Sequence, residues 1–200
     1  MKQTKPPRGR PKTLDRDQVI NIAMMSYWTE GPMNVSLNEI CKRAGVSKPG
    51  VYREFGSEDG LKHTVLSAYS RLLIEQFQPL LNRDKSFEET LEALIAIALQ
   101  DKSEQELPSG CLHVASCNCI EQLGIQTAEI TTEIREHILA NYETIIERAK
   151  KRGEFKSKLS TRLAALYINE QIGNAMLQQK RGESADDIKA ILTLALSVLV

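Results

Sequence analysis

The chain has 200 residues, of which 42% are apolar and 26% charged, and its 26 Lys and Arg balance its 26 Asp and Glu. That apolar content is enough for a packed core. No run approaches the roughly 18 to 20 apolar residues of a bilayer span, and the first residues lack the apolar stretch of a secretory leader, so neither a membrane partner nor export is expected, and the location expected is the cytoplasm, where the four cysteines read as thiols.

The charge is unevenly spread. Residues 1 to 56 carry ten Lys and Arg against five Asp and Glu, so a head of net +5 is joined to a remainder of net −5, the asymmetry expected when one end meets nucleic acid. Residues 1–14 contain Pro6-Pro7-Arg8-Gly9-Arg10-Pro11-Lys12. Prolines favour an extended backbone there, and the segment is too polar to fold alone, so it reads as a basic flexible arm. An amphipathic helix follows, ending in Tyr27-Trp28-Thr29-Glu30-Gly31.

Residues 36 to 55 then read as two short helices around a tight turn, a unit of a shape that fits the DNA major groove. Ser36 and Glu39 form a capping box, and Leu37, Ile40, Cys41 and Ala44 fall on one apolar face. Gly45 ends the first helix in a position suited to left-handed backbone, and Val46 plugs the angle between the helices. Ser47 caps the second helix, with Pro49 in its first turn. That helix would bury Val51 and Phe55 and turn Ser47, Lys48, Gly50, Tyr52 and Arg53 outward, where they reach phosphates and base edges while Gly50 permits close approach. Turn chemistry of this kind also occurs in ordinary helical hairpins. The basic charge of the head is what favours DNA.

Over roughly residues 16 to 70 the sequence resembles the tetracycline-repressor (TetR) family of bacterial transcriptional regulators. The string Ser36-Leu-Asn-Glu-Ile-Cys-Lys-Arg-Ala-Gly-Val-Ser-Lys-Pro-Gly-Val-Tyr-Arg-Glu-Phe-Gly-Ser57 carries the resemblance, with apolar spacing, Ala-Gly-Val-Ser turn and Val-Tyr-x-x-Phe end in register. The resemblance implies an all-α protein. A three-helix DNA-binding head (15–56) would be joined by a fourth helix to a helical body (57–200) that dimerises and binds a small effector. It implies a ligand- or stress-responsive regulator, a repressor released from a near-palindromic operator, with Tyr52 and Lys48 touching bases or backbone. One position departs from the pattern: many relatives have Lys after Gly-Ser, where it meets a phosphate, but this chain has Glu58 and Asp59. Acids suit a helix N-terminus, so the phosphate contact could fall to Lys62 or be lost. Arg8-Gly9-Arg10-Pro11 also resembles the core of an AT-hook, whose arginines enter a narrow A·T minor groove; a basic tail that only aids solubility is the alternative.

The body reads as helices throughout, without β-alternation or internal repeat. Ser57 to about Phe77 forms the linking helix, with Leu61, Val65, Ala68, Leu72 and Phe77 on an apolar side and Pro79 at its end. Residues 86 to 100 continue the pattern. Pro108-Ser109-Gly110 opens a helix from about Cys111 to Leu123, and Thr127 caps a longer one reaching Arg152 and closed by Gly153. The last two helices run from about Ser160 to Gln179 and Ser184 to Val200. Ile188, Ile191, Leu192, Ala195, Leu196 and Leu199 make an apolar face too wide for a free terminal helix, and with Leu163, Leu166, Tyr167, Ile172 and Met176 it could form a four-helix homodimer interface or pack within the chain.

Cys111-x-His113-x3-Cys117-x-Cys119 gathers soft ligands. At about 100° per residue, however, His113 and Cys117 share a helix face while Cys111 and Cys119 point away, so neither a metal site nor a disulfide is expected. Cys119 and Cys41 read as core thiols. Cys111, at a helix start, is either a small residue that fits a tight turn or a thiol made reactive by unpaired backbone N–H groups; part of the family shares a Gly-Cys-Leu start here and some of those members sense electrophiles or oxidants. Phe77, Leu91, Ile95, Cys111, Tyr142, Ile146, Tyr167 and Met176 are the residues expected to line an effector pocket, each equally good as core. An enzyme or a helical interaction module, with the turn motif incidental, is the competing class. The chain lacks a phosphate-binding glycine loop, a His-Glu-x-x-His run and a nucleophile elbow, and no cofactor is implied.

Overall fold

The computed structural model describes residues 14–81, 84–101 and 106–200. Their regular elements are all helical: α1 (Arg16–Glu30), α2 (Leu37–Ala44), α3 (Lys48–Phe55), α4 (Glu58–Phe77), α5 (Phe87–Ala98), α6 (Leu112–Cys117), α7 (Ile125–Arg152), α8 (Thr161–Arg181) and α9 (Ala185–Leu196). Short 3₁₀ turns follow α4, α6 and α9. A Ser or Asp oxygen accepts a backbone N–H at the start of α1, α2, α3, α4, α5, α8 and α9, which satisfies part of each helix's orphan donors. At α2 only half of the expected capping box forms: Ser36 accepts from Glu39 N–H, while the Glu39 carboxylate turns to Arg43. The complete box is at α5, between Ser86 and Glu89.

In the head, α1 packs on α2 and α4, and α3 on α2 and α4. Val19, Ala23 and Tyr27 of α1, Ile40 and Cys41 of α2, and Val51 and Phe55 of α3 are buried in the same core. Gly45 holds φ +64°, left-handed backbone that only a glycine adopts cheaply, and this turn lets Val46 N–H bond the Cys41 carbonyl at 3.0 Å. Arg43 bridges α2 to α1, donating to Ser26 Oγ at 2.9 Å and pairing with Glu30.

In the body, α7 lies between α4 and α8, and α9 covers α8 and α5. Three sequence expectations need correction here. The linking helix buries Leu61, Val65, Leu66, Tyr69 and Leu73, while Leu72 is exposed. The helix expected from Cys111 to Leu123 ends at Cys117, with Cys111 itself as its N-cap, because Gly110 at φ +77° and the backbone turn after Cys117 confine it to six residues. Thr127 does not cap α7; Gly124 stands at that position and an acid from α4 takes over the capping.

The larger correction concerns α9. Ile188, Leu192 and Leu196, expected at a dimer interface, are buried inside the chain, and so is Ile172 of α8. Leu192 is only 2% exposed. The outward residues of α9 and its tail are Ile191, Leu194 and Val198, with Leu194 at 73% exposure, and Leu163 joins them from α8. The helix is apolar on both sides, and the side with the stronger i, i+4 pattern is the one that the chain itself covers.

Candidate nucleic-acid interface and body cavity

The outer face of α3 is built by its own caps. Ser47 Oγ accepts Gly50 N–H at 3.2 Å, Pro49 fits the first turn, and Val51 and Phe55 anchor the inner face. Arg16 holds the back of the helix, pairing with Glu54 at 3.2 Å and lying over the Phe55 ring. Ser47, Lys48, Pro49, Tyr52 and Arg53 are exposed, as is Ser36 at the start of α2. Tyr52 is 43% exposed and the Lys48 ammonium lies 5.6 Å from its ring centroid, so the two form one cationic, aromatic tip.

Two expected contacts are placed elsewhere. Gly50 is buried, and a Cβ there would meet Ser47 Oγ at 3.1 Å and Leu14 at 3.6 Å, so its small size serves packing inside the head rather than approach to DNA. The Lys62 side chain is 11% exposed; its ammonium pairs with Glu58 at 3.0 Å and lies over the Tyr27 ring, which leaves it turned inward rather than toward a phosphate. Arg8 and Arg10 lie outside the described residues.

The body holds a cavity of about 270 Å³ bounded by α4, α5, α6, α7 and α8. Phe77, Cys111, Tyr142 and Met176 line it, together with Leu73, Gln76, Leu94, His113, Cys117, Arg135, Asn169, Glu170 and the supposed interface residue Ile172. Leu91, Ile95 and Ile146 are core residues outside it, and Tyr167 donates its hydroxyl to the Ala195 carbonyl at 2.7 Å, fastening α8 to α9. Arg135 and His113 carry no apolar signal and were therefore missed. The i, i+3, i+7 spacing of Arg135, Ile138 and Tyr142 would have found the α7 wall.

Two of the cavity's ionisable groups, His113 and Cys117, stay uncharged. Burial, aided by the nearby Arg135 charge, brings the His113 pKa down to about 4, and burial, with Cys111 nearby, pushes the Cys117 thiol up to about 11. His113 Nε2 and Cys117 Sγ are 3.5 Å apart, so this is a neutral imidazole beside a neutral thiol rather than an activated ion pair. Cys119 is half-buried and donates to the Ala115 carbonyl at 3.3 Å, rather than forming part of the core as expected, because α6 has already ended. Among the described residues, no three His, Cys, Asp or Glu side chains are grouped to hold a metal ion.

The cavity wall is wired to the head. Tyr69 of α4 donates its hydroxyl to Cys111 Sγ and accepts Leu112 N–H, each at 3.3 Å. This takes up a helix-terminal N–H that Cys111 was expected to use. The Tyr69 ring stacks edge-on against Trp28 of α1 at 5.0 Å; Trp28 Nε1 donates to the Gly110 carbonyl at 3.2 Å, and Lys180 of α8 donates to the Trp28 carbonyl at 3.0 Å.

A second link joins the first turn of α4 to the first turn of α7. The Asp59 carboxylate accepts Gln126 N–H at 3.0 Å, Thr127 N–H at 3.1 Å and the Thr127 hydroxyl. Gly124 is required beside it, since any Cβ there would overlap the carboxylate. Burial raises the Asp59 pKa, but the Thr127 and Gln126 hydrogen bonds and the Lys62 charge outweigh it, so the net shift is downward. Asp59→Asn should therefore destabilise the fold by about 1 to 2 kcal/mol near neutral pH. A depressed folded-state pKa gives stability that is present above the unfolded value of 3.8 and lost as pH falls through the folded value, so the gap between wild type and mutant should close in acid. Denaturant midpoints across an acid titration check this, and a gap that stays constant with pH contradicts the assignment.

Residues 19–63 match the family model of bacterial regulatory proteins, tetR family. The HTH-type transcriptional repressor ComR of Escherichia coli (strain K12) is 25% identical over 188 residues, covering 92% of this chain and 88% of that protein. A TetR-family transcriptional regulator from Agrobacterium tumefaciens superposes with a TM-score of 0.82 at 17% identity, over 92% of this chain and 97% of that one. A cysteine mutant of the TetR-family regulator CifR, complexed with 26bp double-strand operator DNA, gives a TM-score of 0.77 at 21% identity, over 96% and 100%. Residues 19–63 thus match the head of bacterial regulatory proteins of the tetR family, and the chain over 92% of its length is similar to a transcriptional repressor with such a head.

Proposed function

We propose that the chain is a homodimeric transcriptional repressor that binds a near-palindromic operator and leaves it when a small molecule occupies the body cavity. The observation that carries this reading is the outer face of α3, where Ser47, Lys48, Pro49, Tyr52 and Arg53 are presented together on a helix braced from behind. Supporting it, ComR is a transcriptional repressor and CifR was captured on operator DNA. Two heads would enter successive major grooves about 34 to 36 Å apart. Arg8 and Arg10 would reach the adjacent minor groove. The exposed apolar residues Leu163, Ile191, Leu194 and Val198 supply a surface that a second copy would bury. The role is regulatory rather than enzymatic. Among the described residues, no helix is long and apolar enough to cross a membrane.

Footprinting on the DNA upstream of the protein's own coding sequence is the test. A protected near-palindrome, lost on adding small-molecule extract, is the expected result; a protein that protects no sequence at low salt overturns the reading.

Cys111 offers a covalent route to the same release, because its sulfur lines the cavity and holds the Tyr69 hydroxyl. A Michael acceptor would form an S–C bond there, with the thiol proton ending on the adjacent carbon, and its bulk would displace Tyr69 from Leu112. Operator release by such an electrophile is expected in wild type and lost in Cys111→Ser. Release that persists in the mutant transfers the effect to another cysteine.

A further inference from the structure

We infer that the cavity takes an uncharged, mainly apolar molecule bearing one hydrogen-bond acceptor, and that the acceptor meets the Tyr142 hydroxyl. The inference rests on the reading of the cavity as the effector site and names the class of effector. One face of α7 lines the cavity with Arg135, Ile138 and Tyr142, a span of about 10 Å at 1.5 Å per residue.

Tyr142 is the unusual member. It is 2% exposed, and its hydroxyl has no hydrogen-bond partner among the described residues, whereas the hydroxyls of Tyr69 and Tyr167 each have one. Tyr27 is also unpartnered, but its oxygen is sealed in the core of the head. Tyr142 instead faces open space, its ring held edge-on by Phe77 at 5.4 Å. Burial raises its pKa, so the phenol keeps its proton and offers a donor. A buried hydroxyl left without a partner is costly, and a ligand acceptor that fills the place relieves that cost.

The charges decide what kind of ligand. At the mouth, half-buried Arg135 pairs at 3.6 Å with the exposed Glu170 and at 3.6 Å with Glu136, so its charge is already compensated. Deeper in, His113 is neutral, and the rest of the wall is mainly apolar, its polar members being the uncharged amides Gln76, Asn118, Asn169 and Asn174. A carboxylate or an ammonium would therefore lose its hydration without gaining a net countercharge.

Four probes that share one naphthalene ring and one substitution position separate the possibilities: the neutral ketone acetylnaphthalene, its analogue ethylnaphthalene with CH2 in place of the carbonyl, naphthoate and naphthylmethylammonium. By calorimetry the ketone should bind at least about tenfold more tightly than either ion and about fivefold more tightly than the ethyl compound. Tyr142→Phe should erase the ketone's advantage over the ethyl compound while leaving the affinity of the latter unchanged. Glu170→Gln, at the exposed mouth, should strengthen naphthoate binding by removing one of the two carboxylates, Glu170 and Glu136, that pair with Arg135. Equal binding of ketone and ions, a ketone preference that survives Tyr142→Phe, or no binding of any probe overturns the inference. Operator binding measured in parallel without probes keeps the two readings apart. Selective ketone binding by a protein that ignores DNA removes the regulator reading alone, and DNA binding without ketone selectivity removes this inference alone.

Discussion

Leu192→Asp should unfold the body, whereas Leu194→Asp, two residues further along the same helix, should leave the fold intact and separate the two protomers. Leu192 is 2% exposed, so the new carboxylate would be buried without a partner, at a cost above about 4 kcal/mol, a large part of the 5 to 15 kcal/mol that holds a domain together. Leu194 is 73% exposed, and a surface change there costs the single chain no more than about 0.5 kcal/mol. In a dimer, however, it would place a charge in the apolar contact between copies. Thermal unfolding and light scattering read the two effects separately. A wild-type monomer at micromolar concentration, or a Leu194→Asp protein that stays dimeric, removes this face as the interface.

Lys48→Ala and Tyr52→Ala should each weaken operator binding by about 1 to 3 kcal/mol with no change in stability beyond about 0.5 kcal/mol. Both side chains are exposed at the tip of α3 and support nothing behind it, so their loss touches only the surface offered to DNA. Lys62→Ala should behave in the opposite way: its ammonium is engaged by Glu58 and the Tyr27 face, and the change should register in stability first. Mobility-shift titrations at fixed salt, beside melting curves, distinguish the two patterns. Full operator affinity in both α3 mutants would mean that the helix does not enter the groove.

The head was legible because its instructions are local. Ser47, Pro49, Gly45 and the spacing of Ile40, Cys41, Val51 and Phe55 each fix a cap, a stop or a buried face within twenty residues. Gly50 misled because a glycine in a helix's first turn gives no sign of which way it faces, and here Leu14 from outside the motif decides it. The cavity was legible only in part. It exists where α4, α5, α6, α7 and α8 fail to meet, which depends on how those helices cross and not on the period of any one of them. Phe77 and Tyr142 were expected either to line it or to fill the core, and no helical period decides between the two, while nothing in the sequence singled out Arg135. The reversal on α9 has a related cause: both of its sides are apolar, and no periodicity states which is covered by the same chain. Asp59 was read only as an acid suited to a helix N-terminus, since its partners Gln126 and Thr127 lie 67 and 68 residues away.

The hydrogen bonds that hold Asp59 to the start of α7 also set where α4 can pivot. Asp59 is the second residue of α4 and Phe77 the last, so at 1.5 Å per residue the pivot and the cavity wall are about 27 Å apart. A sideways push of about 2 Å on Phe77 then turns the helix by about 4°. The head packs along α4 as far as Tyr69, whose ring meets Trp28, and so has to turn with that helix. In the proposed dimer such a rotation would be applied twice, in opposite senses, against a groove spacing that does not adjust.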